Sequence, residues 1–67
     1  MSLRWLDLYV EGDPHPRRFD RLELLLAYLR RVERLDETAL DEIGRTREVG
    51  PPLARRGYRI NVLDAVP

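Results

Sequence analysis

The arginines are the side chains of this sequence with the greatest capacity to bind a ligand. All twelve cations are arginine, and five of them form two clusters, Arg17 with Arg18 and Arg55 with Arg56 and Arg59. Guanidinium groups bind phosphate and carboxylate groups through paired hydrogen bonds. If the first cluster begins a helix, the free N–H groups of that helix add to an anion site. The alternative is that acidic neighbours pair with the arginines, because twelve carboxylates balance the charge.

Residues suited to catalysis are scarce. The chain has no cysteine and a single histidine, His15, which lies between two prolines. A nucleophile needs a base within hydrogen-bonding distance, and a zinc site needs Cys or His ligands at regular spacing. The glycines stand too far apart for a phosphate-binding loop, and acidic pairs such as Asp36–Glu37 are typical of helix N-termini. We therefore predict that the protein is not an enzyme and binds no metal or other cofactor.

Two strands are predicted near the ends of the sequence. Residues 3–11 alternate between two faces, one with Leu6, Leu8 and Val10 and the other with Trp5, Asp7 and Tyr9. The prolines of the following segment end this strand. Residues 58–63 alternate in the same way, with Tyr58, Ile60 and Val62 on one face. Residues 46–49 are a candidate for a short additional strand.

Helices are predicted between the two strands. Residues 17–35 contain no glycine or proline, and their apolar residues recur at three- and four-residue steps over an arc of roughly 220°. This arc is wider than one sheet covers, so a second helix or a partner must cover the remainder. A shorter helix begins with Asp36 or Thr38 as its N-cap and ends at Gly44 or Gly50. The alternative is one continuous helix over residues 17–43.

The predicted order of strand, long helix, short helix and strand is a single α+β domain of two layers over residues 1–67, with antiparallel strands. Two strands alone are marginal in water and have two open edges. A chain of 67 residues also buries little of its surface and has no disulfide to compensate. We therefore predict that self-association in a homodimer or larger homo-oligomer completes the sheet, with candidate interface residues Trp5, Tyr9, Leu24 and Tyr28.

The strand face that carries Trp5 and Tyr9 has a second interpretation. Aromatic rings beside Arg59 and Asn61, the expected neighbours across the ladder, are typical of surfaces that bind single-stranded nucleic acid. Asp7 between the rings opposes this interpretation, because a carboxylate repels phosphate. Large aromatic residues are also enriched in protein interfaces, which favours contact with protein.

The composition indicates where such a protein works. No apolar run approaches the about 18 residues of a membrane span and no N-terminal leader segment is visible, so we expect a cytoplasmic protein without membrane contact. The absence of Lys and Cys, with the Leu-Asp-Leu-Tyr-Val strand and the arginine-rich leucine helix, resembles small proteins of unknown function from thermophilic bacteria with GC-rich genomes. That resemblance extends over the whole chain and implies no activity. The predicted function is a non-enzymatic, self-associating protein-interaction or accessory module, and the alternative is binding of nucleic acid or another anion through the arginine clusters.

Overall fold

Two helices cover one face of a four-stranded antiparallel sheet. The computed structural model describes the backbone of residues 3–65 and the side chains of residues 4–63. The elements in chain order are β1 (Leu3–Val10), β2 (Arg17–Phe19), α1 (Leu22–Arg31), α2 (Glu37–Thr46), β3 (Glu48–Val49) and β4 (Tyr58–Ala65). The predicted small α+β domain with antiparallel strands is confirmed.

The two long strands lie in the middle of the sheet, whose order is β2-β1-β4-β3. β1 and β4 pair along their whole length, from Leu3 opposite Ala65 to Val10 opposite Tyr58. The edge strands are short: β2 pairs with residues 6–8 of β1, and β3 pairs with the first two residues of β4. The sequence predicted β1, β4 and the short β3, and it missed β2. Because one chain supplies four strands, the prediction of self-association loses its premise of a two-stranded sheet.

The prediction of a helix beginning at Arg17 was wrong. Residues 17–19 form β2, and α1 begins only at Leu22. Alternation within β2 turns Phe19 toward the helices, where its ring centroid lies 5.7 Å from that of Tyr28. Phe19 stands three residues before Leu22, so it fits a helical pattern and a strand pattern equally well. Contacts with distant residues decide between the two.

The chain forms two separate helices and not one continuous helix. α1 ends at Arg31 and the chain turns through Arg34, which has a φ of 61°. Asp36, one of the two predicted N-caps, begins α2 by accepting a hydrogen bond from the N–H of Ala39 at 2.9 Å. An N-cap carboxylate satisfies a helical N–H that has no partner inside the helix.

The end of α2 differs from the prediction. The helix continues through Gly44 and ends at Thr46. Arg47 then takes the left-handed C-cap conformation, with a φ of 73°, and donates its N–H to the carbonyl of Ile43 at 2.9 Å. Glycine is the usual residue at a left-handed cap. The sequence therefore predicted that the helix ends at Gly44 or Gly50, whereas Arg47 is the residue that takes this conformation.

Gly44→Ala is expected to stabilise the protein by about 1 kcal/mol. Glycine inside a helix costs roughly that much relative to alanine, and a Cβ at this position would meet no heavy atom within 4 Å. Urea unfolding followed by circular dichroism measures the change. Gly12→Ala is the control, since its φ of 93° disfavours alanine and should give a loss. An unchanged or lower free energy of unfolding for Gly44→Ala would contradict the prediction.

The core lies between the helices and the inner face of the sheet. The largest fully buried side chains there are Leu8 of β1, Leu25 and Leu29 of α1, and Ile43 of α2. The other buried apolar residues are Leu6, Val10, Leu35, Ala39, Leu40, Val49, Tyr58 and Ile60. Both helices pack on this one face, so no described helix lies over the opposite face of the sheet.

The wide apolar arc predicted for the first helix is only partly buried. Leu22, Leu24 and Val32 are 39%, 48% and 58% exposed. α1 therefore keeps an apolar surface in contact with solvent after α2 and the sheet have packed against it. Among the described residues, no helix is long and apolar enough to cross a membrane.

Candidate functional site

The sheet face that the helices leave uncovered is the strongest candidate for a functional site, and we call it the open face. Among the residues whose side chains the structure describes, eight lie on it and come from all four strands: Trp5, Asp7 and Tyr9 of β1, Arg18 of β2, Glu48 of β3, and Arg59, Asn61 and Leu63 of β4. Strand register brings them together. Asp7 lies between Arg18 and Asn61, and Arg59 lies between Tyr9 and Glu48.

Two arginines cover the aromatic rings of the open face. The guanidinium carbon of Arg18 lies 5.8 Å from the ring centroid of Trp5, and that of Arg59 lies 5.0 Å from the ring centroid of Tyr9. Both rings are half-buried. A guanidinium group above a ring is attracted by the negative ring face, and its planar N–H groups stay able to donate to a further acceptor.

Asp7 occupies the middle of the open face and is only 5% exposed. Arg18 binds it with two hydrogen bonds, from Nε to Oδ1 at 2.8 Å and from Nη2 to Oδ2 at 3.1 Å. These bonds with Arg18 outweigh the effect of burial and hold the pKa of Asp7 below its usual value. Asp7 was expected to repel phosphate, whereas Arg18 offsets its charge in the structure.

The charges of the open face are balanced. Arg18 and Arg59 are matched by Asp7 and Glu48, and the two edge strands carry opposite signs, with Arg18 on β2 and Glu48 on β3. Surfaces for nucleic acid carry an excess of positive charge. Tryptophan, tyrosine and arginine are enriched in protein interfaces.

The first arginine cluster is divided between the two faces of the sheet. Arg18 lies on the open face, and Arg17 lies on the helix side, with its guanidinium carbon 5.0 Å from the ring centroid of Tyr28. Neither residue begins a helix, since α1 starts at Leu22. The predicted anion site at Arg17 and Arg18 therefore lacks the helix N–H groups that were expected to contribute to it.

The second arginine cluster is divided as well. Arg59 lies on the open face, while Arg55 is exposed in the loop before β4. Arg56 forms an ion pair with Glu33 at 2.7 Å and lies 3.6 Å from Asp13. Of the five predicted anion-binding arginines, the open face therefore brings together only Arg18 and Arg59.

The four predicted interface residues belong to two layers. Trp5 and Tyr9 lie on the open face, and Leu24 and Tyr28 lie on α1 on the other side of the sheet. One flat interface cannot bury both pairs. The open face also contains Arg18, Glu48 and Leu63, which were not among the predicted interface residues.

A cluster around Glu33 was missed entirely by the sequence analysis. Its Oε1 accepts hydrogen bonds from Arg56 Nη2 at 2.7 Å and from the hydroxyl of Tyr58 at 2.8 Å. Burial alone would raise the pKa of Glu33, but these two bonds hold it below its ordinary value. Burial and the contact with Glu33 raise the pKa of Tyr58. The polar groups of this cluster satisfy one another, so its role is to join α1 to the loop before β4.

Features for catalysis or metal binding are sparse in the described part of the chain. No group of three or more His, Cys, Asp or Glu side chains is placed there to hold a metal ion. His15 is exposed in the turn between β1 and β2. A groove of about 740 Å³ beside residues 49–53 is lined by carboxylates, prolines and aromatic side chains, and none of its lining residues is Ser, Thr, Cys or His.

Comparison with known proteins identifies no relative. No family model matches the sequence, and neither a curated protein nor a solved structure is significantly similar to it.

Proposed function

We propose that the protein is a non-enzymatic interaction module that associates with itself and works through protein contacts of its open face. The observation that carries this proposal is the pair of half-buried rings, Trp5 and Tyr9, on a sheet face without a helix over it. Each ring lies under an arginine. Tryptophan, tyrosine and arginine contribute most often to the binding free energy of protein interfaces.

Arg59→Glu is expected to weaken self-association at least about tenfold in dissociation constant, which corresponds to roughly 1.4 kcal/mol. Glutamate at this position loses the contact with the Tyr9 ring and lies beside Glu48 on the neighbouring strand. Sedimentation equilibrium at micromolar concentrations measures the effect. Arg55→Glu is the matched control, because it makes the same change of charge in an exposed loop away from the open face.

Two outcomes would contradict this proposal. A wild-type mass near 7.9 kDa throughout the concentration range would exclude self-association. An equal weakening by Arg59→Glu and Arg55→Glu would indicate a general effect of charge and not a contact of the open face.

A second candidate function is binding of single-stranded nucleic acid by the same face. One observation favours it: Arg18 offsets the charge of Asp7 and so removes the repulsion expected at the centre of the face. Bases stack on aromatic side chains in such sites. Here, however, arginines already lie above both rings, and the carboxylates of the face balance the positive charge. Protein contact is the better supported function.

Trp5 separates the two functions, because it is the only tryptophan in the chain and lies on the open face. Quenching of its fluorescence by a single-stranded oligonucleotide at low salt, with recovery as salt is added, would establish nucleic-acid binding. Unchanged fluorescence would exclude it at this face. The cytoplasmic location stays a prediction from the sequence.

A further inference from the structure

We infer that the partner of the open face is the open face of a second copy, related by a two-fold axis that runs parallel to the strands between β1 and β4. This inference rests on the proposed function and specifies its partner and geometry. Two sheets packed face to face lie about 10 Å apart with strands roughly aligned. The rotation places β1 of one copy over β4 of the other, and β2 over β3.

The central strands are complementary to each other under this rotation. Three rows of residues lie opposite one another across them: Tyr9 with Arg59, Asp7 with Asn61, and Trp5 with Leu63. The two-fold axis places each member of a row over the other member in the second copy. An arginine then meets a tyrosine ring and a leucine meets a tryptophan ring, while Asn61 lies over the Asp7 that Arg18 already binds.

The edge strands are complementary in charge. Arg18 lies on β2 in the row of Asp7, and Glu48 lies on β3 in the row of Tyr9. Because the rotation places β2 over β3, each Arg18 faces the β3 strand of the second copy. The rows of Asp7 and Tyr9 are about 7 Å apart along the strands, so the charge of Glu48 lies near the Arg18 that binds Asp7 in the second copy. The symmetry makes this attraction between opposite charges occur twice.

Charge disfavours the other way of stacking two copies. A two-fold axis that lies in the plane between the two sheets, runs perpendicular to the strands and passes through the row of Asp7 would place β2 over β2 and β1 over β1. Arg18 would then face Arg18 of the second copy, and Asp7 would face Asp7. Like charges across an interface oppose association, so charge favours the axis parallel to the strands over this one.

A second copy also covers more of the sheet at the open face than at a strand edge. The open edge of β4 is a smaller surface, since only residues 61–65 extend beyond its pairing with β3 and residue 47. Pairing at that edge would also leave Trp5 and Tyr9 uncovered.

The test combines sedimentation with Trp5 fluorescence on the full chain. Glu48→Arg places an arginine opposite Arg18 of the second copy, and we expect it to raise the dissociation constant at least tenfold. Glu23→Arg is the matched control, because it makes the same charge reversal at an exposed position of α1 and should leave association unchanged. Circular dichroism verifies that both variants are folded. In the wild type, Trp5 emission should shift to shorter wavelength as the dimer forms, since the second copy covers the ring.

Each result bears on one of the two proposals. A wild-type dimer in which Glu48→Arg has no effect, or in which Trp5 emission stays constant as the mass doubles, would overturn this geometry. The two copies would then meet elsewhere, at the β4 edge or at α1, and self-association itself would stand. A wild type that remains monomeric would overturn the proposed function and this inference together.

Discussion

Leu8→Ala is expected to lower the free energy of unfolding by about 3 kcal/mol. Leu8 is fully buried on β1, a central strand that pairs with β2 on one side and β4 on the other. Truncating a buried leucine costs about 2–5 kcal/mol, because apolar contacts are lost and a cavity remains. A domain of this size has only about 3–5 kcal/mol of stability from its core, so the variant should be largely unfolded near 37 °C.

Leu53→Ala is the control for this prediction. It removes the same atoms from a loop side chain that is 41% exposed, and the expected change is within about 0.5 kcal/mol. Thermal unfolding followed by circular dichroism measures both variants, and the midpoint for Leu8→Ala should fall by more than about 10 °C. Similar midpoints for the two variants would show that Leu8 does not lie in the core.

Self-association would modify the size of this effect. Binding of a second copy to the folded chain stabilises it by mass action, so the midpoint of the wild type should rise with protein concentration. A comparison of Leu8→Ala with the wild type therefore requires a single concentration. The same dependence gives a second measure of association.

The parts of the fold that the sequence predicted are those with local signals. Alternation in residues 3–11 separated Leu8 from Trp5 and Tyr9 because side chains of a strand point to opposite faces in turn. Asp36 was one of two predicted N-caps because Asp and Thr are residue types that cap helices, and its carboxylate binds a backbone N–H only three residues later. Such interactions involve neighbouring residues and are visible in any short window of sequence.

β2 was missed because long-range contacts determine it. Three residues are too few for a period-two pattern, and Phe19 also fits the helical spacing that follows. The strand is fixed by pairing with β1 and by the bond between Arg18 and Asp7, which are 11 residues apart. Tertiary contacts of this kind override local propensity.

The sequence also predicted only some of the residues of the open face. Trp5, Tyr9, Arg59 and Asn61 were placed on one face because both of their strands alternate. Arg18 and Glu48 were not, since their positions depend on two edge strands of two or three residues. The sequence thus predicted the aromatic residues of the open face and not the opposite charges at its edges, on which the proposed two-fold arrangement depends.

Glu33→Ala is expected to destabilise the protein by about 1–3 kcal/mol. The carboxylate accepts hydrogen bonds from Arg56 and from the hydroxyl of Tyr58. Tyr58 is buried, and a buried hydroxyl without an acceptor costs about that much. The cluster links the end of α1 to β4, residues 25 positions apart, so its loss should also loosen the loop that precedes β4. Urea unfolding measures the change in stability.

Tyr58→Phe provides the control for Glu33→Ala. It removes the hydroxyl and leaves the ring in the core, so the expected loss is smaller, about 0.5–1.5 kcal/mol. In the Glu33→Ala background the hydroxyl has already lost its acceptor, and Tyr58→Phe should then cost little or restore stability. Strictly additive effects in this double-mutant cycle would show that the two side chains do not interact.

The pH dependence of stability tests the ionisation of Glu33 directly. Since its pKa in the folded protein is held below the ordinary value, the carboxylate contributes stability that is fully present above the unfolded pKa of about 4.3. That contribution is lost as the pH falls through the lower, folded pKa. The stability difference between the wild type and Glu33→Ala should therefore be constant from about pH 7 to pH 5 and shrink below about pH 4.

Asp7 titrates in the same direction but is present in both proteins, so its contribution cancels in the difference. A difference that stays constant into acid would mean that the stabilising contacts of Glu33 do not require its charge.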